Sequence, residues 1–175
     1  DFVWNGREFD EKRAEARRAM IRTAEATLSC KFDGEPLIVG TSGRYEFRNK
    51  GIDIFLDALK QLAETDALDR EVLVYITVPS ATTGPRKDLQ AHLADENSPI
   101  DPKQNRFCTH YLEHPEWDQI LNSIAGSVLA NPSSKVKVVF VPTYLNGRDG
   151  IFDKSYYELL VGMDMTLFPS YYEPW

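Results

Sequence analysis

Cysteine is scarce in this sequence: among 175 residues there are 2, Cys30 and Cys108. They lie far apart without CxxC spacing, which predicts two reduced thiols rather than a disulfide framework or a metal site. The three histidines, His92, His110 and His114, also lack metal-ligand spacing, and each reads as a surface or loop residue. No apolar run approaches the ~20 residues that a membrane-spanning helix needs. The opening DFVWNGREFDEKR has neither the basic start nor the apolar stretch of a signal peptide. The expected setting is therefore soluble and cytoplasmic, with no membrane partner. Positive charge is in deficit, 20 Lys and Arg against 27 Asp and Glu, a net charge of -7. That excludes a general nucleic-acid surface but allows one local basic pocket for phosphate. Neither a GxGxxG fingerprint nor a Walker A loop occurs, and no internal repeat is visible.

What is present is enough apolar material for one domain across residues 1–175, with 42% hydrophobic residues. A leading helical segment fills 1–33. Its periodic part, DEKRAEARRAMIRTAEATLS, is rich in Ala, Glu and Arg, which predicts a surface helix capped by Asp10. The runs EPLIVG, EVLVYITV, VKVVFV and MTLFPS read as strands, the last ending at a buried Phe168, Pro169 and Ser170. Helical stretches, IDIFLDALKQLAETDAL, WDQILNSIAGSVL and KSYYELLVGMD, alternate with them. This alternation predicts an α/β fold, a Rossmann-like parallel sheet with flanking helices and right-handed crossovers. Residues 81–106 are polar, contain Pro85, Pro99 and Pro102, and read as a surface insertion or mobile loop.

Ligands of open parallel sheets bind beyond the carboxyl ends of the strands. The strand exits here are GTSGRYEFRNKG, VPSATTGPR, VPTYLNGRDG and PSYYEPW, so groups distant in sequence are expected to converge on one rim. Gly40 and Gly43 allow close backbone approach of a ligand. Arg44 and Lys50 flank a helix start whose free N–H groups suit phosphate. Tyr144, Tyr156 and Tyr172 can stack on a base or bond a sugar, and Glu173 can meet sugar hydroxyls. The same residues also suit solvated loops and a half-wet core edge, and spacing alone leaves both readings open.

Two long stretches carry a resemblance. SGRYEFRNKGIDIFLDAL and FPSYYEPW are similar to signature stretches of glycogen synthases of the animal and fungal type, the retaining glycosyltransferases of family 3. The likeness extends to CTHYLEHPEWDQILNSI, VKVVFVPTYL and YYELLVGMD, leaving 81–106 aside. It implies a GT-B enzyme that moves glucose from UDP-glucose to the end of an α-1,4-glucan with retention, using no metal or other cofactor. By the resemblance, Arg44 and Lys50 hold the donor diphosphate, Glu173 faces the donor glucose, and Tyr144 and Tyr156 lie around the uridine, with Gly43 and Tyr172 beside them. The family pattern continues beyond the final tryptophan, so the chain reads as a truncated C-terminal, donor-binding domain. Alone it is expected to be inactive, the glycogen acceptor being reached through a missing N-terminal domain. Oligomerisation of the full-length enzyme is left open. Two alternatives stand beside this: another retaining nucleotide-sugar glycosyltransferase, and a nucleotide-binding module without catalysis.

Overall fold

The computed structural model describes residues 4–65, 67–103 and 105–172. Its centre is a parallel sheet of β1 (Leu37–Ser42), β2 (Val72–Thr77), β5 (Val136–Val141) and the short β6 (Met165–Thr166). The spatial order is β5-β2-β1-β6. All six positions of β2 and of β5 are buried, because hydrophobic runs without polar alternation can only sit where both faces of a sheet are covered.

Strand alternation then sorts the core into two halves. Val72, Val74 and Ile76 of β2 join Val136, Val138 and Phe140 of β5 on one face, under α2 (Ile52–Ala63) and α4 (Gln119–Ala125). Leu73, Tyr75, Val139 and Val141 point the other way, toward α1 (Gly6–Leu28) and α5 (Tyr156–Leu160). Helix α2 fits its face through Ile52, Phe55, Leu56 and Leu59, a stripe at helical spacing. The parallel α/β architecture expected from the alternating runs is what the chain adopts.

Several local expectations are corrected. Helix α1 begins earlier than its charged run suggests: Asn5, not Asp10, is the N-cap, its side chain accepting from the Glu8 amide at 3.0 Å. Nor is α1 merely a surface helix. Ala16, Met20, Thr23, Ala24, Ala26 and Thr27 are buried, small residues letting the helix lie close to the sheet despite few large apolar groups. Tyr75 donates from its hydroxyl to the Met20 carbonyl at 2.6 Å. On the other side of α1, Arg17 donates to the Gly162 and Pro36 carbonyls, 2.9 and 2.8 Å away, and to Asp164 at 2.8 Å. Asp164 in turn accepts from the Ile38 amide at 2.8 Å. These bonds tie the turn before β6 to the start of β1; against the cost of burial, the Ile38 amide first and then the Arg17 and Arg13 guanidiniums hold the carboxyl of Asp164 below its ordinary range.

The polar stretch 81–106 is not loop throughout. It contains β3 (Thr82–Pro85), paired antiparallel with β4 (His110–Leu112), and then α3 (Lys87–Ala94), whose Leu89 is fully buried. Between them Arg86 is 1% exposed, bonded to both oxygens of Asp88 and to the Asn105 and Cys108 carbonyls. Polarity misleads here because a buried guanidinium with all these partners does the work of an apolar anchor. At the other end, Phe168 does not close a buried strand: β6 is only two residues long and Phe168 is exposed. Both cysteines are free, and burial pushes the Cys108 thiol up to about 12. Among the described residues no helix is long and apolar enough to cross a membrane, and no group of three His, Cys, Asp or Glu side chains is placed to hold a metal ion.

Candidate functional site

In chain order the parallel strands lie third, second, first, fourth, so the order reverses between β1 and β6. Connections leave that point in opposite directions, opening a crevice at the carboxyl end of the sheet. From β1 the chain runs through Gly43 to Gly51, the residue that caps α2 at φ 63°. From β6 it runs through Leu167 to Tyr172. The two stretches meet: the Tyr171 amide donates to the Asn49 carbonyl at 3.0 Å, and a Cβ on Gly51 would lie 2.0 Å from the Pro169 carbonyl oxygen. Segments some 120 residues apart thus form one rim, as the strand exits predict.

Beside this junction, a cleft of about 360 Å³ is lined by Ser42, Gly43, Arg44, Thr77, Thr143, Tyr144 and Tyr156, among others. It draws on the exits of β1, β2 and β5 and the start of α5. Ser42 donates from its hydroxyl to that of Tyr156 at 3.0 Å, joining two sides of the cleft, and Ser155 caps α5 reciprocally with Glu158 so that Tyr156 is firmly placed. The Tyr144 ring is 73% exposed, free to lie against a planar ligand. Arg44 pairs through Nε with Glu46 Oε1 at 2.9 Å, a solvent-exposed ion pair of small worth, so an anion at the rim can draw the guanidinium away.

Of the residues named from the sequence, Gly43, Arg44, Tyr144 and Tyr156 line the cleft together. Lys50 sits one residue before the α2 cap, its amide bonded to the Glu46 carbonyl at 2.9 Å, outside the cleft wall. Tyr172 is exposed at the end of the β6 exit and is not part of that wall. Glu173 lies outside the described residues. Gly40 has another purpose than ligand approach: a Cβ there would fall 2.4 Å from the Met163 sulfur, so its smallness serves packing.

Two contributors were not singled out from the sequence. Ser42 was legible as a hydroxyl at a strand exit. Tyr45 was not, since only the fold shows its partners. Its ring meets Phe140 edge-on at 6.4 Å, and its hydroxyl accepts from the Ile120 amide at 3.2 Å. Burial raises the pKa of both Tyr45 and Asp118, and the bond from the Ile120 amide to the Tyr45 hydroxyl fixes the loop that carries Arg44 against the start of α4.

His110 also departs from its expected surface place. It is 3% exposed on β4, with Nε2 donating to the Asp149 carbonyl at 3.0 Å and Nδ1 accepting from the Thr109 hydroxyl at 2.9 Å. Asp149 holds the loop after β5, its carboxylate accepting from the Ile151, Phe152 and Asp153 amides. Burial lowers the pKa of His110, so the native state resists a proton that the unfolded chain takes up near pH 6.5. Stability from this residue is full above that value and is lost as pH falls from there through the folded pKa. Urea melts from pH 8 to 5.5 should show this decline, and His110→Gln should flatten it. An equal slope in both proteins would remove His110 as its source.

The glycogen synthase family model matches residues 90–175. Glycogen [starch] synthase of Neurospora crassa is 28% identical, over 82% of this chain and 28% of that protein. The liver glycogen [starch] synthase of Homo sapiens is 27% identical, over 79% of this chain and 27% of its own length. Isoform 2 of Saccharomyces cerevisiae is 25% identical over 77% of the chain. The chain thus spans little more than a quarter of the length of these relatives.

Proposed function

With its kinship to the animal and fungal glycogen synthases as premise, we propose that this chain is the donor-binding part of a GT-B glycosyltransferase that passes glucose from UDP-glucose to an α-1,4-glucan end with retention. The observation that carries the reading is the meeting of the 43–51 loop and the 167–172 stretch at the reversal of strand order, beside a cleft lined by Arg44, Tyr144 and Tyr156. Tyr144 offers a face to the uracil ring, and Tyr156 and Ser42 offer hydroxyls to the ribose. Arg44 and Lys50 are assigned to the diphosphate; the head of α2 is not, because the Ile52 and Asp53 amides there already donate to the Phe47 carbonyl at 2.9 and 3.3 Å. Negative charge builds on its leaving oxygen as the glycosidic bond breaks, and fixed positive groups stabilise that state without reorganising. We assign Glu173 to the glucosyl hydroxyls, where a carboxylate orients the ring and favours its developing positive charge. Gly43 leaves room at the cleft floor, with nothing within 4 Å of where a Cβ would stand. Tyr172 belongs with Glu173 at the outer edge of the donor site. No metal is needed in this scheme, since the cations at the rim carry the charge balance.

Calorimetric titration of the chain with UDP and UDP-glucose tests the reading. Both should bind, with affinities unchanged by EDTA, and Tyr144→Ala should weaken UDP roughly tenfold through loss of one stacking face. Incubated with UDP-glucose and glycogen, the chain alone should transfer no glucose. Absence of heat with either nucleotide would overturn the assignment.

A further inference from the structure

Tyr144 and Tyr156 of the candidate donor cleft stand at the two ends of one loop, which runs from β5 to α5. Residues 145–155 contain no strand or helix of their own, so contacts must impose their order. The neck of the loop closes on itself: the Tyr156 amide donates to the Leu145 carbonyl at 2.9 Å, and Asn146 forms a bridge with Ser155. The tip is gripped from outside by the excursion made of β3, α3 and β4. Gln90 of α3 donates from Nε2 to the Gly150 carbonyl at 2.8 Å. Gly150 holds φ 80°, and a Cβ there would fall 2.9 Å from Pro85 Cγ at the end of β3. His110 of β4 donates from Nε2 to the Asp149 carbonyl at 3.0 Å. A carbonyl can only accept, so this bond sets the tautomer of the neutral ring and leaves Nδ1 to accept from the Thr109 hydroxyl at 2.9 Å. Thr109 is anchored to the sheet in turn, its amide donating to the Phe140 carbonyl at 3.1 Å.

We propose that Gln90 and His110 are positioning residues for donor binding: through Gly150 and Asp149 they brace the loop whose ends carry Tyr144 and Tyr156, and the brace is whole only while the imidazole is neutral. The proposal rests on the donor-domain reading above. Neither residue lines the cleft, so each acts through the loop. Every bond from the excursion removes freedom that the loop would otherwise lose when a nucleotide binds, and so tightens binding without meeting the ligand. A proton on Nδ1 takes away the acceptor that Thr109 uses and puts a charge where the ring is 3% exposed. The groups that face the ring do not offset this. The loop's carboxylates, Asp149 and Asp153, already accept from backbone amides of the tip. Arg86 and Lys103 line the same cavity as His110 and repel a second cation, Arg86 being paired with Asp88 at 2.6 Å; Cys108 and the Tyr111 phenol complete that side. Protonation therefore releases the tip, and the cleft wall loses its brace. The brace is complete above the ordinary histidine value of about 6.5 and is lost as pH falls from there through the lowered folded pKa.

The test is calorimetric titration of the whole 175-residue chain with UDP-glucose, whose diphosphate diester keeps the same charge across the range used. It is run at pH 7.5 and at the lowest pH, near 5.5, at which thermal melts show the chain folded. Wild-type affinity should fall about fivefold at the lower pH, the worth of one lost hydrogen bond. His110→Gln keeps a donor for Asp149 but takes up no proton, so it should bind within about threefold of wild type at pH 7.5 and show no slope. His110→Ala should bind about tenfold more weakly at both values, and Gln90→Ala about threefold more weakly with the wild-type slope kept. A role confined to stability would shift the melts of these variants and leave their affinities alone. Flat wild-type affinity, a slope that survives in His110→Gln, or Gln90→Ala binding as wild type does would each overturn the proposal while the donor reading stands. Failure of wild type to bind UDP-glucose at pH 7.5 would remove that reading, and the brace with it.

Discussion

Replacing Gly51 with alanine should both destabilise the chain and abolish donor binding. The residue holds φ 63°, a conformation that costs an L residue about 1–2 kcal/mol. The added methyl would also stand 2.0 Å from the Pro169 carbonyl oxygen and 2.7 Å from its carbon, which are backbone atoms that cannot swing aside. Relief requires the 167–172 stretch to move away from the head of α2, at a further cost of roughly 1–3 kcal/mol. Together these predict a loss of about 2–5 kcal/mol and a fall in Tm of roughly 5–15 °C. Gly34 supplies the control. It has φ 90° but no atom within 4 Å of its would-be Cβ, so Gly34→Ala should show strain alone. Thermal melts of the two variants decide the matter, and equal losses would mean that the meeting of the two segments contributes nothing.

Arg44→Ala should cost the donor site more than any other single charge removal on the first loop. A lost hydrogen bond to a charged partner is worth roughly 1.5–3 kcal/mol, or about 10- to 150-fold in UDP affinity. Uridine, which has no phosphate, should bind Arg44→Ala and wild type alike. Glu46→Gln should act in the opposite direction, since it frees the guanidinium from its 2.9 Å partner. The expected tightening is small, about two- to fivefold, because exposed pairs hold only ~0.2–1 kcal/mol. Arg48→Ala, an exposed arginine on the same loop, should leave UDP nearly untouched. If uridine weakened with Arg44→Ala as much as UDP, the arginine would be supporting the loop rather than meeting phosphate.

The core strands were legible in the sequence because a strand buried on both faces must be apolar without interruption. EVLVYITV and VKVVFV could be nothing else in a chain of this length, and the helices between them fixed a parallel sheet. The rim was legible for the same reason: where apolar runs break into Gly, Arg and Tyr, chain leaves the core. Composition failed where polar or small residues carry burial. Arg86 and His110 are enclosed because their hydrogen bonds are all met by neighbours, and α1 is half-buried through alanines that no hydrophobic stripe announces. Neither fact is local, since the partners come from Asn105, Asp149 and the sheet.

Tertiary structure alone decided which rim residues stand together. The sequence by itself determined that Arg44, Tyr144, Tyr156 and the aromatic stretch after β6 lie at strand exits. It did not determine the order β5-β2-β1-β6, which puts the reversal beside Arg44 and brings Tyr171 to Asn49. Nor could it separate Gly40, kept small for Met163, from Gly51, kept small for Pro169. Each depends on close contact between segments more than a hundred residues apart, and side-chain patterns report only which face of an element is buried, not which distant backbone comes to rest against it.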